Sequence, residues 1–135
     1  MKQNGVVQRK FALLDEYLVS LANELRDVDA ETFADSWVLR RMTERALQTM
    51  IEIVIDVAER IIALKGAGPT GSAAESMGRL AELGVIKSAS PYADMVRFRN
   101  LIVHQYEQID PRILYRLATE KLDDFRRFRD EIDRA

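Results

Sequence analysis

The sequence predicts an all-α fold, an up-and-down bundle of four long helices plus one short helix, and three observations carry it. Glycine and proline are scarce, 6 and 3 among 135 residues, and they fall in a few clusters that punctuate long uninterrupted runs. Within those runs apolar residues recur at three- and four-residue spacing, the period of a helix with one buried face. No pair of alternating segments flanks a hairpin turn. A chain of this length is one ordinary domain, so residues 1–135 are read as a single helical unit.

The first helix is predicted from Val7 to Leu25, with Leu14, Tyr17, Leu18, Leu21 and Leu25 inward. Residues 27–35 are acidic and weakly patterned and read as a connection. Ser36 is placed to cap the next helix, predicted from Trp37 to Leu64. Its apolar stripe is Leu39, Met42, Ala46, Met50, Ile53, Val54, Val57, Ile61 and Leu64, which makes it the spine of the bundle. Ser72 and Glu75 have capping-box spacing and open the short helix, which ends before Gly84. Ser90–Pro91 starts a helix carrying Tyr92 to about Glu107. Asp110–Pro111 repeats that signal for a last helix running to about Ile132, with Ile113, Leu114, Leu117, Leu122, Phe125 and Phe128 inward.

Composition removes several function classes. There is no cysteine, which excludes disulfides, thiolate metal sites, iron–sulfur clusters and a cysteine nucleophile. His104 is the one histidine, so no multi-histidine metal centre exists within a chain, and neither metal nor cofactor is expected. The apolar run from Met50 to Leu64 is interrupted by Glu52, Asp56, Glu59 and Arg60 and cannot span a membrane. No basic start followed by an apolar stretch marks a secretory signal, so a soluble cytoplasmic protein is expected. The net charge of −2 and pI near 5.5 argue mildly against nucleic-acid binding by bulk charge, without excluding a local positive cleft. Most of the basic residues are arginines, grouped as Arg40/Arg41/Arg45, Arg97/Arg99, Arg112/Arg116 and Arg126/Arg127/Arg129. Surface pairing with the 22 acidic residues accounts for most of them.

Residues 66–71, Gly-Ala-Gly-Pro-Thr-Gly, match the glycine pattern of dinucleotide sites. That pattern has meaning only between a strand and a helix of a βαβ unit, and here it follows a long helix. It reads as helix punctuation.

The informative segment is Met95-Val96-Arg97-Phe98-Arg99-Asn100-Leu101-Ile102-Val103-His104-Gln105-Tyr106. On an ideal helix Met95, Phe98, Leu101 and Ile102 form one apolar face, and Arg97, Asn100 and His104 lie opposite. Val96 and Val103 add a second apolar ridge. Arg99 and Tyr106, seven apart, sit between that ridge and the core face. Such a wide apolar arc, interrupted by a guanidinium, implies two packing surfaces and a partner for the charge. A homodimer that pairs this helix with its own copy supplies the second surface. Taken singly, Arg99 is an ion-pair residue with Asp94, Asp110 or another acid as partner, His104 an ordinary histidine and Tyr106 a core-edge phenol. Their combination is more specific than its members.

Arg99, His104 and Tyr106 form an Arg-x4-His-x-Tyr motif, and the segment resembles that of HepT-like toxins, a branch of the HEPN superfamily also known as DUF86. Residues 45–62, with Glu52 and Asp56 four apart, resemble the family's long second helix. The Pro69 loop, the Leu80–Ile86 run, the Phe98–His104 run and Ile109–Asp110 are similar too, so about residues 5–130 are covered. The resemblance implies a metal-independent endoribonuclease, in which a ribose 2′-hydroxyl attacks the adjacent phosphate to leave a 2′,3′-cyclic phosphate. His104 is the one side chain whose ordinary pKa suits that proton transfer, and Arg99 is a fixed cation for the phosphorane. Asn100 is a supporting polar residue, and Arg97 is expected to contact RNA without doing chemistry. Arg40, Arg41 and Arg45 are weaker choices for the same duty. The family also implies a cognate minimal nucleotidyltransferase as antitoxin, which transfers AMP to Tyr106. On a straight helix Arg99 and His104 diverge by about 140°, so they converge through arginine's long reach, a local distortion or partners across a dimer, the last two being favoured.

A second reading, from a different class, is a non-catalytic helical companion that binds a nucleotidyltransferase or its substrate. A third is a structural dimerisation domain in which Arg99 is a buried ion pair.

Overall fold

The computed structural model describes residues 5–104 and 109–135, and among these it contains seven helices and no strand: α1 (Gly5–Leu25), α2 (Ala30–Asp35), α3 (Trp37–Leu64), α4 (Ala73–Glu82), α5 (Ser90–His104), α6 (Pro111–Glu120) and α7 (Leu122–Arg134). The predicted all-α bundle is the observed architecture. Helix starts fall where side chains satisfy the free N–H groups of a first turn. Ser36 Oγ accepts from Leu39 N at 3.1 Å, Ser72 Oγ from Glu75 N at 3.1 Å, and Asp110 Oδ1 from Arg112 N at 2.9 Å. Glu75 closes its box one residue early, accepting from Gly71 N at 2.6 Å. Gly66 and Gly84 end α3 and α4 with positive φ of 74° and 76°, and Ala67 N and Val85 N bond back to Ile62 and Leu80. Residues 66–71 are thus a helix stop, as the context of their glycines indicated.

Three antiparallel contacts fix the topology. Lys10 Nζ meets Asp56 at 2.8 Å, while Tyr17, Leu21 and Glu24 share a crevice with Met42, Arg45 and Ala46; α1 therefore runs against α3. Phe11 packs edge-on against Phe128, and Ala22 and Leu25 face Leu122, so α7 runs against α1. Tyr92 packs on Phe128 with centroids 5.1 Å apart, and Phe98 shares a crevice with Leu117 and Phe125, so α5 runs against α7. In consequence α1 and α5 point one way and α3 and α7 the other. His104, at the end of α5, lies at the same end of the bundle as Trp37, at the start of α3.

Several expectations need correction. Residues 27–35 are not only a connection: Asp29 caps α2, accepting from Thr32 N at 2.8 Å, and Phe33 anchors it in the core. One buried side chain in six residues leaves no periodicity to see. The predicted last helix is broken at Lys121 into α6 and α7. Leu114, Ala118, Leu122, Phe125, Phe128 and Ile132 are all buried and keep helical spacing through the break, so the pattern hides the bend. Leu64 and Ile113 are exposed rather than inward, because each lies at a helix end where no neighbour covers it. On α5 the buried set is Tyr92, Met95, Val96 and Phe98. Val96 belongs to the main core, whereas Leu101, 43% exposed, falls outside the arc that these residues cover, although Ile102 next to it still packs on the core, and Val103, 50% exposed, lies in the last turn. The predicted end of α5 near Glu107 lies outside the described residues.

Candidate functional site

The site residues are positioned by α5. Ser88 Oγ accepts from Ser90 N, and Pro91 occupies the first turn, where its missing N–H costs nothing. Tyr92 then pins the helix: its ring is fully buried and its hydroxyl donates to Glu131 Oε2 of α7 at 2.6 Å. With Met95, Val96 and Phe98 inward, the register turns Arg97, Asn100 and His104 to solvent and leaves Arg99 at the seam with α3.

There Arg99 Nη1 donates to Glu52 Oε1 at 2.8 Å, and Arg99 Nε donates to Asn100 Oδ1 at 2.9 Å. The Arg99 side chain is 20% exposed and that of Glu52 48%. A guanidinium at an apolar seam needs such charge-assisted bonds to offset its lost hydration. Two of its five N–H donors are engaged among the described residues, so a fixed cation faces the seam with donors to spare for an anionic oxygen.

The two acids of α3 have separate duties. Glu52 holds Arg99, while Asp56 lies 2.8 Å from Lys10 Nζ and 3.1 Å from Arg60 Nε. Burial pushes the Asp56 carboxyl up, but these two cations outweigh it and hold it below the usual carboxylate value. Of the partners open to Arg99 from the sequence, Asp94, Asp110 or another acid, the structure shows another acid, Glu52. Asp94 instead pairs with Arg97, one turn away on the exposed face, and Asp110 with Arg112. The partner, 47 positions distant, could not be selected by spacing. Its signal was a lone acid, Glu52, set among Met50, Ile51, Ile53, Val54 and Ile55.

The structure thus brings Arg99 and Asn100 together and adds Glu52. Arg97 is exposed and tied to Asp94. His104 is exposed on the last turn of α5, with no bond joining it to Arg99 among the described residues. Tyr106 lies outside the described residues. No group of three or more His, Asp or Glu among the described residues is placed to hold a metal ion, and no helix there is long and apolar enough to cross a membrane.

The site is thus framed by an antiparallel helical bundle in which an arginine–acid pair joins the spine α3 to the helix that carries Arg-x4-His. The chain belongs to the ribonuclease HepT-like family, whose profile matches residues 14–132. It is 30% identical over 108 residues to the mRNA nuclease HepT of Shewanella oneidensis, a match covering 77% of this chain and 80% of that protein. It is 23% identical over 112 residues to the tRNA nuclease HepT of Aphanizomenon flos-aquae, covering 82% and 76%. Its fold superposes, with a TM-score of 0.90 and 24% identity, on the solved structure of the tri-AMPylated Shewanella oneidensis HEPN toxin in complex with MNT antitoxin, over 98% of this chain and all of that one.

Proposed function

We propose that this chain is the ribonuclease toxin of a toxin–antitoxin pair, a metal-independent endonuclease acting through Arg99 and His104. The observation that carries this reading is the match of residues 14–132 to the ribonuclease HepT-like family; the nuclease names of two relatives support it. In the reaction the ribose 2′-hydroxyl loses its proton to a histidine and attacks the adjacent phosphorus. The bond from phosphorus to the 5′-oxygen breaks, and that oxygen takes a proton from a second acid. Products are a 2′,3′-cyclic phosphate and a 5′-hydroxyl. Arg99, held by Glu52 and Asn100, stabilises the charge that grows on the phosphorane oxygens.

One chain has a single histidine, and α5 is helical up to it, so Arg99 and His104 leave the axis about 140° apart. A homodimer resolves both shortages. Its cleft holds two copies of His104, one as base and one as acid, and lets His104 of one copy face the Arg99 of the other. The exposed Val103, on the second apolar ridge of α5, supplies apolar contact between copies. Asn100 keeps the Arg99 guanidinium oriented, and Arg97 contacts RNA outside the reacting bond. The partner is a cognate minimal nucleotidyltransferase that transfers AMP to Tyr106; a bulky anion two residues from His104 repels RNA phosphate from the cleft. The protein acts in the cytoplasm.

The test is induced expression of wild type beside His104→Ala, with total RNA from each resolved on a gel. Growth arrest with new RNA fragments in the wild type alone is expected. Intact RNA in both strains at matched soluble protein would overturn the ribonuclease and favour the helical companion of a nucleotidyltransferase. For the partner, mass spectrometry of the co-expressed pair is expected to show adenylate on Tyr106, and its absence removes that step.

A further inference from the structure

The ribonuclease reading leaves one surface of α3 without a role. Trp37, the only tryptophan of the chain, stands in the first turn of α3 and is 62% exposed; Val38 beside it is as exposed. A single surface aliphatic needs no explanation, but a large indole in water forgoes most of its burial energy. The Arg41 guanidinium lies over one face of that ring, 5.8 Å from its centroid, and with most of the residue in solvent the opposite face is open. Arg45 follows one turn later, exposed and without an ionic partner among the described residues. Glu44 lies 3.5 Å from Arg41 and offsets part of its charge, while Arg40 is turned away onto the Ala34 carbonyl.

Helical geometry joins these residues to the site. Positions 37, 41, 45, 48 and 52 fall within about 80° around the α3 axis, a single stripe that climbs about 22 Å from Trp37 to Glu52. Glu52 is the residue that holds Arg99. Because α5 runs antiparallel to α3, His104 descends from Arg99 toward the Arg45 level of that stripe, about 7 Å along the axis. An aromatic face, two arginines and an uncharged Gln48 therefore lead to the Arg99–Glu52 pair from the end of the bundle where His104 lies.

We propose that this Trp37–Arg41–Arg45 stripe is a binding track for single-stranded RNA, in which a base flanking the cut stacks on the open face of Trp37 while Arg41 and Arg45 hold phosphates. This rests on the ribonuclease reading and names how its substrate is gripped. A π-face with adjacent guanidiniums is how unpaired nucleotides are held without regard to sequence, and it concentrates positive charge where the chain as a whole is acidic.

The test uses the His104→Ala protein, which is expected to leave RNA uncut, titrated with a short mixed-sequence single-stranded RNA. Because Trp37 is the sole tryptophan, its emission reports this position alone. Saturable quenching is expected, and Trp37→Ala in the same background is expected to weaken binding about tenfold, read by anisotropy of labelled RNA. Trp37→Phe, which keeps a stacking ring, is expected to recover most of the loss, and Arg45→Ala to reduce the salt dependence of binding. Unchanged affinity in Trp37→Ala, with no quenching, overturns the track and leaves the ribonuclease standing. Trp37→Ala that binds RNA normally but no longer associates with its nucleotidyltransferase, or with its own copy, assigns the face to a protein partner and equally overturns it. If wild type neither binds nor cuts any RNA, the ribonuclease reading falls and the track with it.

Discussion

Arg99 Nη1 and Glu52 Oε1 lie 2.8 Å apart across the seam between α5 and α3, joining residues 47 positions apart. Both side chains reach solvent, so the pair contributes at most about 1 kcal/mol to folding. Arg99→Ala is therefore expected to leave the urea midpoint nearly unchanged while cutting RNA cleavage about a hundredfold or more. Glu52→Gln keeps an acceptor oxygen but loses the charge, and cleavage should fall less than in Arg99→Ala. A loss of several kcal/mol in Arg99→Ala with cleavage intact would instead support a structural dimerisation domain.

Tyr92 predicts behaviour in alkali. Burial chiefly, and then the bond to Glu131, push its phenol well above the ordinary value. The folded state therefore holds this proton more tightly than the unfolded chain does. That contribution is complete below the unfolded tyrosine pKa of about 10 and is lost as pH rises beyond it. Stability measured by denaturant titration should fall above that pH, and Tyr92→Phe should flatten the fall. At neutral pH the same variant removes one partner of Glu131 and is expected to cost about 1–2 kcal/mol.

At the acid end Asp56 works in the opposite sense. Lys10 and Arg60 hold its carboxyl below the usual value against the cost of burial, so the folded state resists its protonation. The stabilisation is present above the unfolded carboxylate value of about 4 and disappears as pH falls through the lower folded value. Asp56 is over a third exposed, so Asp56→Asn is expected to cost only about 0.5 kcal/mol at pH 7. The variant and wild type should converge in stability at low pH in a guanidinium titration series.

These residues also show what could be read before the fold was known. Caps are local, so Ser36, Ser72 and Asp110 announced three helix starts, and α3 was found from Trp37 to Leu64 as spaced. The bend at Lys121 stayed hidden because apolar spacing passes through it unbroken. An ideal helix places Leu101 beside Phe98 and so inward; its exposure follows from where Tyr92, Met95, Val96 and Phe98 centre the covered arc, which depends on the neighbouring helices and on no local pattern. For the site, Arg99 was marked by its position at an apolar seam, but its acid came from another helix. Ion pairs between distant segments follow topology, and topology needed the antiparallel order of α1, α3, α5 and α7.

Val103 carries the last prediction. It is half exposed and one residue from His104, so the end of α5 presents an apolar side chain to solvent. In the proposed homodimer this surface is the contact that brings two His104 side chains into one cleft. Val103→Asp places a charge in that contact at a half-exposed position, so the helical circular dichroism and urea midpoint should stay close to wild type. Light scattering is expected to show monomers at concentrations where wild type is dimeric, and RNA cleavage should fall with the dimer fraction. Raising the protein concentration should restore both together, because mass action opposes a weakened interface. Full cleavage by a demonstrated monomer would place acid and base within one chain and remove the second copy from the mechanism.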